Sequence, residues 1–224
     1  MDIETAIRSR KSIRGFKPDP VPRQLIEQVL TLACRAPSTM NTQPWEFVVA
    51  GGEVLRAIAA QNVMRLREGV MICPEHVITG WPPRSVYRER QVEVAKRIFS
   101  LMGIAREDRV RRAEWMERGF RFFDAPAAVI ILTDTALSEG GPLMDIGALM
   151  QTLCLAALAH GLGTCIEDQG VMYPEVLRSV LKIPDTKRIL ICVALGYPDP
   201  DFPANALESP REDIAAITSW HGFD

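Results

Sequence analysis

Residues 143–160, LMDIGALMQTLCLAALAH, constrain the fold more than any other stretch of the chain. They read as a helix closed by Gly161, a natural C′ residue, and apolar side chains lie on nearly every side of it. A helix of that kind has to be covered all round. A bilayer would cover it, but Asp145, Gln151 and His160 interrupt the run, which falls short of the roughly 20 continuous apolar residues that a membrane span needs. Burial at the centre of a bundle, or across an interface between subunits, is the better account. His160 suits the end of the helix as a dipole-compatible cap.

The remaining elements are mostly helices with a few short strands. Asp2 is a candidate N-cap for a short helix carrying Ile3, Ala6 and Ile7. The next helix enters through Pro22 and carries Leu25, Ile26, Val29, Leu30 and Ala33 at helical spacing. Trp45 to Ala50 reads as a strand closed by Gly51-Gly52, with a helical stretch from about Val54. Residues 62–83 contain Cys73-Pro74 and Trp81-Pro82-Pro83 and read as irregular. Two long arginine-rich helices follow between Arg84 and Phe123, broken near Gly103, and their interleaved glutamates mark a solvated face. Ala127–Thr133 and Ile189–Leu195 read as buried strands, 163–167 as an edge strand and Tyr173–Leu181 as a short helix. The tail holding Trp220 is expected to pack against something. With 224 residues, 47% of them hydrophobic, and no linker or low-complexity run, residues 1–224 are read as a single α+β domain.

Several function classes fall away at once. Lys+Arg 26 against Asp+Glu 28 gives a formal charge of -2, so the chain as a whole is no nucleic-acid binder. MDIETAIRSRKSIRG has no apolar run with a small-residue cleavage site, so a cytoplasmic location is expected. Cys34, Cys73, Cys154, Cys165 and Cys192 are scattered singly and read as reduced, buried thiols. The three histidines are too far apart to suggest a metal cluster. G-x-S-x-G, H-E-x-x-H, Walker and G-x-G-x-x-G motifs are all missing, which weakens hydrolase, zinc-enzyme, P-loop and Rossmann readings.

Two polar clusters stand out instead. Arg10, Lys11, Ser12 and Arg14 follow the first helix, and together offer guanidinium forks, an ammonium and a hydroxyl to a phosphate. The loop APSTMNTQPWEF, residues 36–47, gathers Ser38, Thr39, Asn41, Thr42 and Gln43 between prolines. Taken together they favour a ligand with an anionic end and a heteroaromatic ring.

These clusters, in this order, resemble the flavin-dependent nitroreductase family. The resemblance rests on RKSIRGF at 10–16, APSTMNTQPW at 36–45, GLGTC at 161–165, and LGYP at 195–198 with Arg211 beyond it, spanning almost the whole chain. LMGIARED at 101–108 and FFDAP at 122–126 resemble its nitrobenzoate and dinitroaromatic reductase branch. The resemblance implies a nitroreductase-like fold, a central and mainly antiparallel sheet among helices, built as an intertwined homodimer with FMN at the interface. The apolar helix would then lie in the dimer core.

By the same resemblance Arg10, Lys11, Ser12 and Arg14 would hold the phosphate, ribityl chain and pyrimidine edge of FMN, and Arg211 would close on the phosphate. Pro37, Ser38, Thr39, Met40 and Asn41 would lie beside the flavin ring from the other subunit. Cys165, Ile166 and Glu167 fall in the segment whose main chain meets flavin N5 or O4. Glu208 stands where relatives more often carry a second basic residue, an unfavourable neighbour for a phosphate.

The implied activity is two-electron, ping-pong reduction of nitroaromatic compounds by NADH or NADPH through FMN, with no side-chain acid/base dyad and no metal. An always-charged arginine such as Arg14 at the pyrimidine edge would favour the negatively charged reduced flavin. A quinone or flavin reductase is a close alternative, since an open ring-stacking site discriminates poorly. A reductive dehalogenase, a flavin-fragmenting enzyme and a non-catalytic FMN-binding protein are further alternatives. Trp81, Tyr87, Trp115, Phe120 and Phe123 are candidate contacts for a small aromatic oxidant, with core packing the simpler role for each.

Overall fold

The computed structural model describes residues 1–77 and 80–223, so positions 78 and 79 of the irregular 62–83 stretch lie outside the described residues. Four strands form one sheet: β1 (Glu46–Gly51), β2 (Ala127–Asp134), β3 (Gly163–Glu167) and β4 (Lys187–Gly196). Their order is β1-β2-β4-β3 and every pair is antiparallel. The helices are α1 (Ile3–Ser9), α2 (Arg23–Ala33), α3 (Gly52–Arg67), α4 (Val86–Leu101), α5 (Arg109–Phe120), α6 (Leu143–Ala159), α7 (Pro174–Leu181) and α8 (Ile214–Ile217).

Both faces of the sheet are covered, which is why β2 is an unbroken apolar run rather than an alternating one. Ala128, Ile130 and Leu132 point into a core completed by α3, α5 and α7. Ala127, Val129 and Ile131 point the other way, into a core completed by α2 and α6. The sequence-based elements recur with small shifts in their ends. Asp2 caps α1 by accepting the Thr5 N–H, and His160 is the C-cap of α6. Among the described residues no helix is long and apolar enough to cross a membrane.

Cover within the single chain is less complete than the sequence suggests at α6, at Trp220 and at two of the cysteines. Ile146, Leu149, Leu153, Ala156 and Ala157 of α6 are buried, but Met144 is 87% exposed and Gly147 and Gln151 are open, so one chain covers one side of this helix. Trp220, expected to pack, is two-thirds exposed and meets only Phe223 among the aromatic rings. Of the cysteines, Cys154, Cys165 and Cys192 are buried, Cys34 is half-buried and Cys73 is exposed.

Residues 62–83 are not all irregular, because α3 continues to Arg67. Beyond it the chain is pinned to the body. The Tyr173 hydroxyl donates to the Val70 carbonyl, and Glu75 takes a two-pronged ion pair from Arg178 while accepting the Ile189 N–H.

Candidate cofactor cradle on the edge of strand β3

Strand β3 leaves one side of its backbone free of β4, and the segment after α1 is laid along it. Ile13 donates to the Thr164 carbonyl at 2.9 Å, and Ser12 and Thr164 form a single parallel bridge. The approach requires Gly163: a Cβ there would stand 2.6 Å from Ile13 Cγ1 and 2.8 Å from Pro198 Cγ. Ile13 is buried, while Arg10, Lys11, Ser12 and Arg14 remain half-exposed around it.

Since the Thr164 carbonyl faces outward, the alternation of the ladder turns the Ile166 N–H to the same outer edge, and turns those of Cys165 and Glu167 toward β4. Of the three β3 residues implicated by sequence, Ile166 is therefore the one with an outward main-chain donor. Cys165 lies against Ser12 and Arg14; burial pushes its thiol up to about 12, with the nearby Arg14 charge opposing the shift. Burial likewise raises the Cys154 thiol, tempered by Thr164 and by the charge of Arg10. Neither thiol is a ready nucleophile.

The charge balance distinguishes this cluster from the other basic stretches. Among the described residues no carboxylate lies within 4 Å of Arg10, Lys11 or Arg14, and the Arg14 guanidinium has only a 3.5 Å contact with the Ser12 carbonyl. The arginines of α4 and α5 are by contrast mostly engaged. Arg90 pairs with Glu212, Arg97 with Glu93, and Arg118 with Asp124, while Arg111 donates to the Met102 and Gly103 carbonyls. A cluster of half-exposed cations with no carboxylate beside it attracts an anion. The donor set of two guanidiniums, an ammonium and a hydroxyl fits a phosphate, with the Ile166 N–H free for a ring acceptor.

The loop at 36–47 is built differently. Thr39 donates its N–H to both Asp145 carboxylate oxygens at 3.2 Å, and its hydroxyl to one of them, which ties the loop to the start of α6. Ser38 Oγ accepts the Gln43 N–H. Met40, Asn41 and Gln43 all have positive φ, of 52°, 58° and 48°. Asn tolerates that conformation; a methionine there is strained by about 1–2 kcal/mol. Met40 is also 92% exposed, and Pro37, Thr39 and Asn41 are exposed with it. A strained, solvent-facing apolar side chain is a feature of ligand-contact loops.

Within one chain the pieces do not all meet. Asp145, which holds the loop, and Cys154, which lies near Arg10, are nine residues apart on α6, a separation of about 14 Å along the helix. Arg211 is exposed, bonds the Ser209 and Pro210 carbonyls, and lies along α4 beside Arg90 and Ile217. It does not join Arg10 and Arg14.

Sequence reasoning missed the groups that support the cradle. Asn205 is buried and bonds the backbone of Arg14 and Gly15, and Arg118 donates to the Arg14 carbonyl. It also missed the Glu167 side chain. That carboxyl is fully buried, accepts the Gly170 N–H at 2.9 Å, and lies 2.7 Å from Cys192 Sγ; burial lifts its pKa to about 8. A flat residue string carries no signal for contacts made across this many residues.

The model of the nitroreductase family matches residues 7–197. The chain belongs to that family. Among its nitroreductase relatives, 4-nitrobenzoate reductase of Pseudomonas putida is 32% identical over 223 residues, covering 100% of this chain and 97% of the relative. Nitrobenzene nitroreductase of Ectopseudomonas oleovorans is 33% identical over 221 residues, covering 97% and 96%. Among solved structures, the FMN and NADPH-dependent nitroreductase NfnB from sphigopyxis sp. strain HMH superposes with a TM-score of 0.93 at 28% identity, covering all of both chains. NfnB from Mycobacterium smegmatis, solved in complex with NADPH, gives 0.90 at 28% identity over 97% of each. The nitroreductase fold and the antiparallel sheet implied by the residue motifs are thus those of this chain.

Proposed function

We propose that this protein is an FMN-dependent oxidoreductase that uses NADPH or NADH to reduce nitroaromatic compounds. The observation that carries the reading is the cationic cluster Arg10, Lys11 and Arg14, which meets no carboxylate among the described residues, beside the outward Ile166 N–H in a chain of the nitroreductase family. Bound there, FMN would supply two-electron hydride chemistry at N5 between the nicotinamide and a nitro group.

The residues have separable tasks in this reading. Arg10, Lys11 and Ser12 bind the phosphate and ribityl end, and Arg14 presents a permanent positive charge to the pyrimidine edge. The Ile166 N–H is the donor for the polar edge of the ring. Pro37 to Asn41 come from a second copy of the chain and cover the ring, and Arg211 reaches the phosphate in that assembly. Three features support a homodimer: the uncovered face of α6, the strained and exposed Met40, and the single chain's failure to bring loop and cradle together. Residues 1–224 act in it as one FMN-binding domain. NADPH is the favoured donor, on the likeness to NADPH-dependent relatives.

The test is spectroscopic. The purified protein is expected to be yellow, to bleach on anaerobic addition of NADPH or NADH, and to recover its colour when a nitrobenzoate is added. A protein that stays colourless with added FMN and leaves NADPH and NADH unoxidised would refute the reading.

A further inference from the structure

Arg14 sits on a backbone whose every polar group is held by residues distant in sequence. Asn205 Oδ1 accepts the N–H of Arg14 at 2.7 Å and that of Gly15 at 3.2 Å. Asn205 Nδ2 donates to the Gly15 carbonyl at 2.7 Å and to the Asp199 carbonyl at 2.9 Å. All four bonds that a primary amide makes most readily, two accepted and two donated, are therefore in use. The remaining group, the Arg14 carbonyl, accepts from Arg118 Nη2 at 3.1 Å. Arg118 is fixed in turn by its ion pair with Asp124 at 2.7 Å and by the Phe202 ring, 4.6 Å from its guanidinium carbon. Phe202 also closes the space over Gly15, where a Cβ would stand 2.0 Å from the ring.

This clamp joins groups 190 positions apart in sequence and holds the segment at 14–15 against the chain that returns after β4. The Arg14 guanidinium beyond it is left without a carboxylate among the described residues. A fixed backbone sets where the Arg14 side chain starts and so narrows the positions its guanidinium can take, which is one part of the preorganisation of an electrostatic group. Among the described residues the Arg10 and Lys11 backbone is held less fully: Arg10 has a helix-end bond from its N–H to the Ala6 carbonyl, and the segment is bridged to β3 at Ser12.

We propose that Asn205 is a positioning residue that, by clamping the Arg14–Gly15 backbone, fixes the Arg14 guanidinium and so sets the preference of the site for reduced over oxidised FMN. The inference rests on the reading of the cradle as an FMN site. It separates two jobs within the cluster: Arg10 and Lys11 govern how tightly the cofactor is held, and the Asn205–Arg14 pair governs its potential.

The experiment is a double-mutant cycle on the holoenzyme, using Asn205→Ala, Arg14→Gln and the combination, with the midpoint potential of bound FMN as readout. N205A is expected to lose about tenfold of the preference for reduced FMN, a shift of about 30 mV downward for a two-electron couple. R14Q is expected to shift it by at least as much, and adding N205A to R14Q to change it no further. An N205A potential equal to wild type, or an equal N205A shift in both backgrounds, would overturn the inference, because a merely structural Asn205 has no reason to act through Arg14. If N205A does not fold, Asn205→Ser takes its place with the same expected sign, since the shorter hydroxyl cannot span both amides. A wild-type protein that binds no FMN overturns the cradle reading itself, and is told apart from these outcomes before any variant is made.

Discussion

Single residues carry the chemistry here through their surroundings more than their type, and Glu167 is the clearest case. Its carboxyl is fully buried among Cys192, Gly170 and the core, and burial lifts its pKa from an ordinary 4.5 to about 8. Between those values the folded chain binds more protons than the unfolded chain, so this group's stabilising contribution is complete below about pH 4.5. It is lost as the pH rises to about 8. Glu167→Gln keeps the shape and removes the titration. The stability of wild type relative to E167Q is expected to fall by a few kcal/mol between pH 5 and pH 8, at roughly 1.4 kcal/mol per unit of pKa shift as an upper bound. Urea unfolding at four pH values measures it; parallel curves for the two proteins would mean that Glu167 is not titrating as its burial demands.

At the level of elements, the excursion between α3 and α4 is pinned at Glu75 by a partly buried clasp, beside the Tyr173–Val70 bond. Arg178 of α7 meets Glu75 through two bonds at 2.7 and 2.8 Å and donates to the Ile183, Pro184 and Lys187 carbonyls. Glu75 also accepts the N–H of Ile189, the third residue of β4. Arg178→Met would take the cation from the Glu75 carboxylate, which keeps only the Ile189 N–H, and remove a donor from three carbonyls, and is expected to destabilise the protein by about 2–4 kcal/mol. Denaturant titration checks this, and a loss below about 0.5 kcal/mol would show that water replaces the arginine freely.

The helices and strands themselves were legible because their signals are local. Periodicity gave α2, apolarity on nearly every side with a closing Gly161 gave α6, apolar runs gave β2 and β4, and glycine or proline marked some of the ends. The candidate cradle stands out as composition, since RKSIR gathers donors within a few residues, and PSTMN does so in a separate loop. The clasp was not, and neither was the left-handed run Phe122-Phe123-Asp124, with φ of 56°, 53° and 58°. Nothing in FFDAP suggests that conformation. It is held by burial of both phenylalanines and by the pairing of Asp124 with Arg118 and Arg121, which are tertiary facts.

At the scale of the whole molecule, the question is what covers α6. Its mean composition demands cover on all sides, yet the single chain leaves Met144, Gly147 and Gln151 open, with Ala148, Leu155 and Leu158 only half-buried along the same face. Ile3 and Ile7 of α1 are exposed as well. A contiguous apolar face of this kind marks an interaction surface. Gly147 is the position that separates folding from assembly: a Cβ there meets nothing within 4 Å. Gly147→Arg is therefore expected to leave the fold of the single chain intact, and to place a charged side chain in the proposed interface between copies, where burial without a partner is strongly unfavourable. The variant is expected to sediment as a monomer, to keep its far-UV circular dichroism, and to lose FMN on gel filtration, because the loop carrying Met40 would no longer reach the cradle of the other chain. A G147R protein that remains dimeric and yellow would move the interface off α6. A monomeric variant that still holds FMN would instead show that Arg10, Lys11, Ser12 and Arg14 suffice without the second copy.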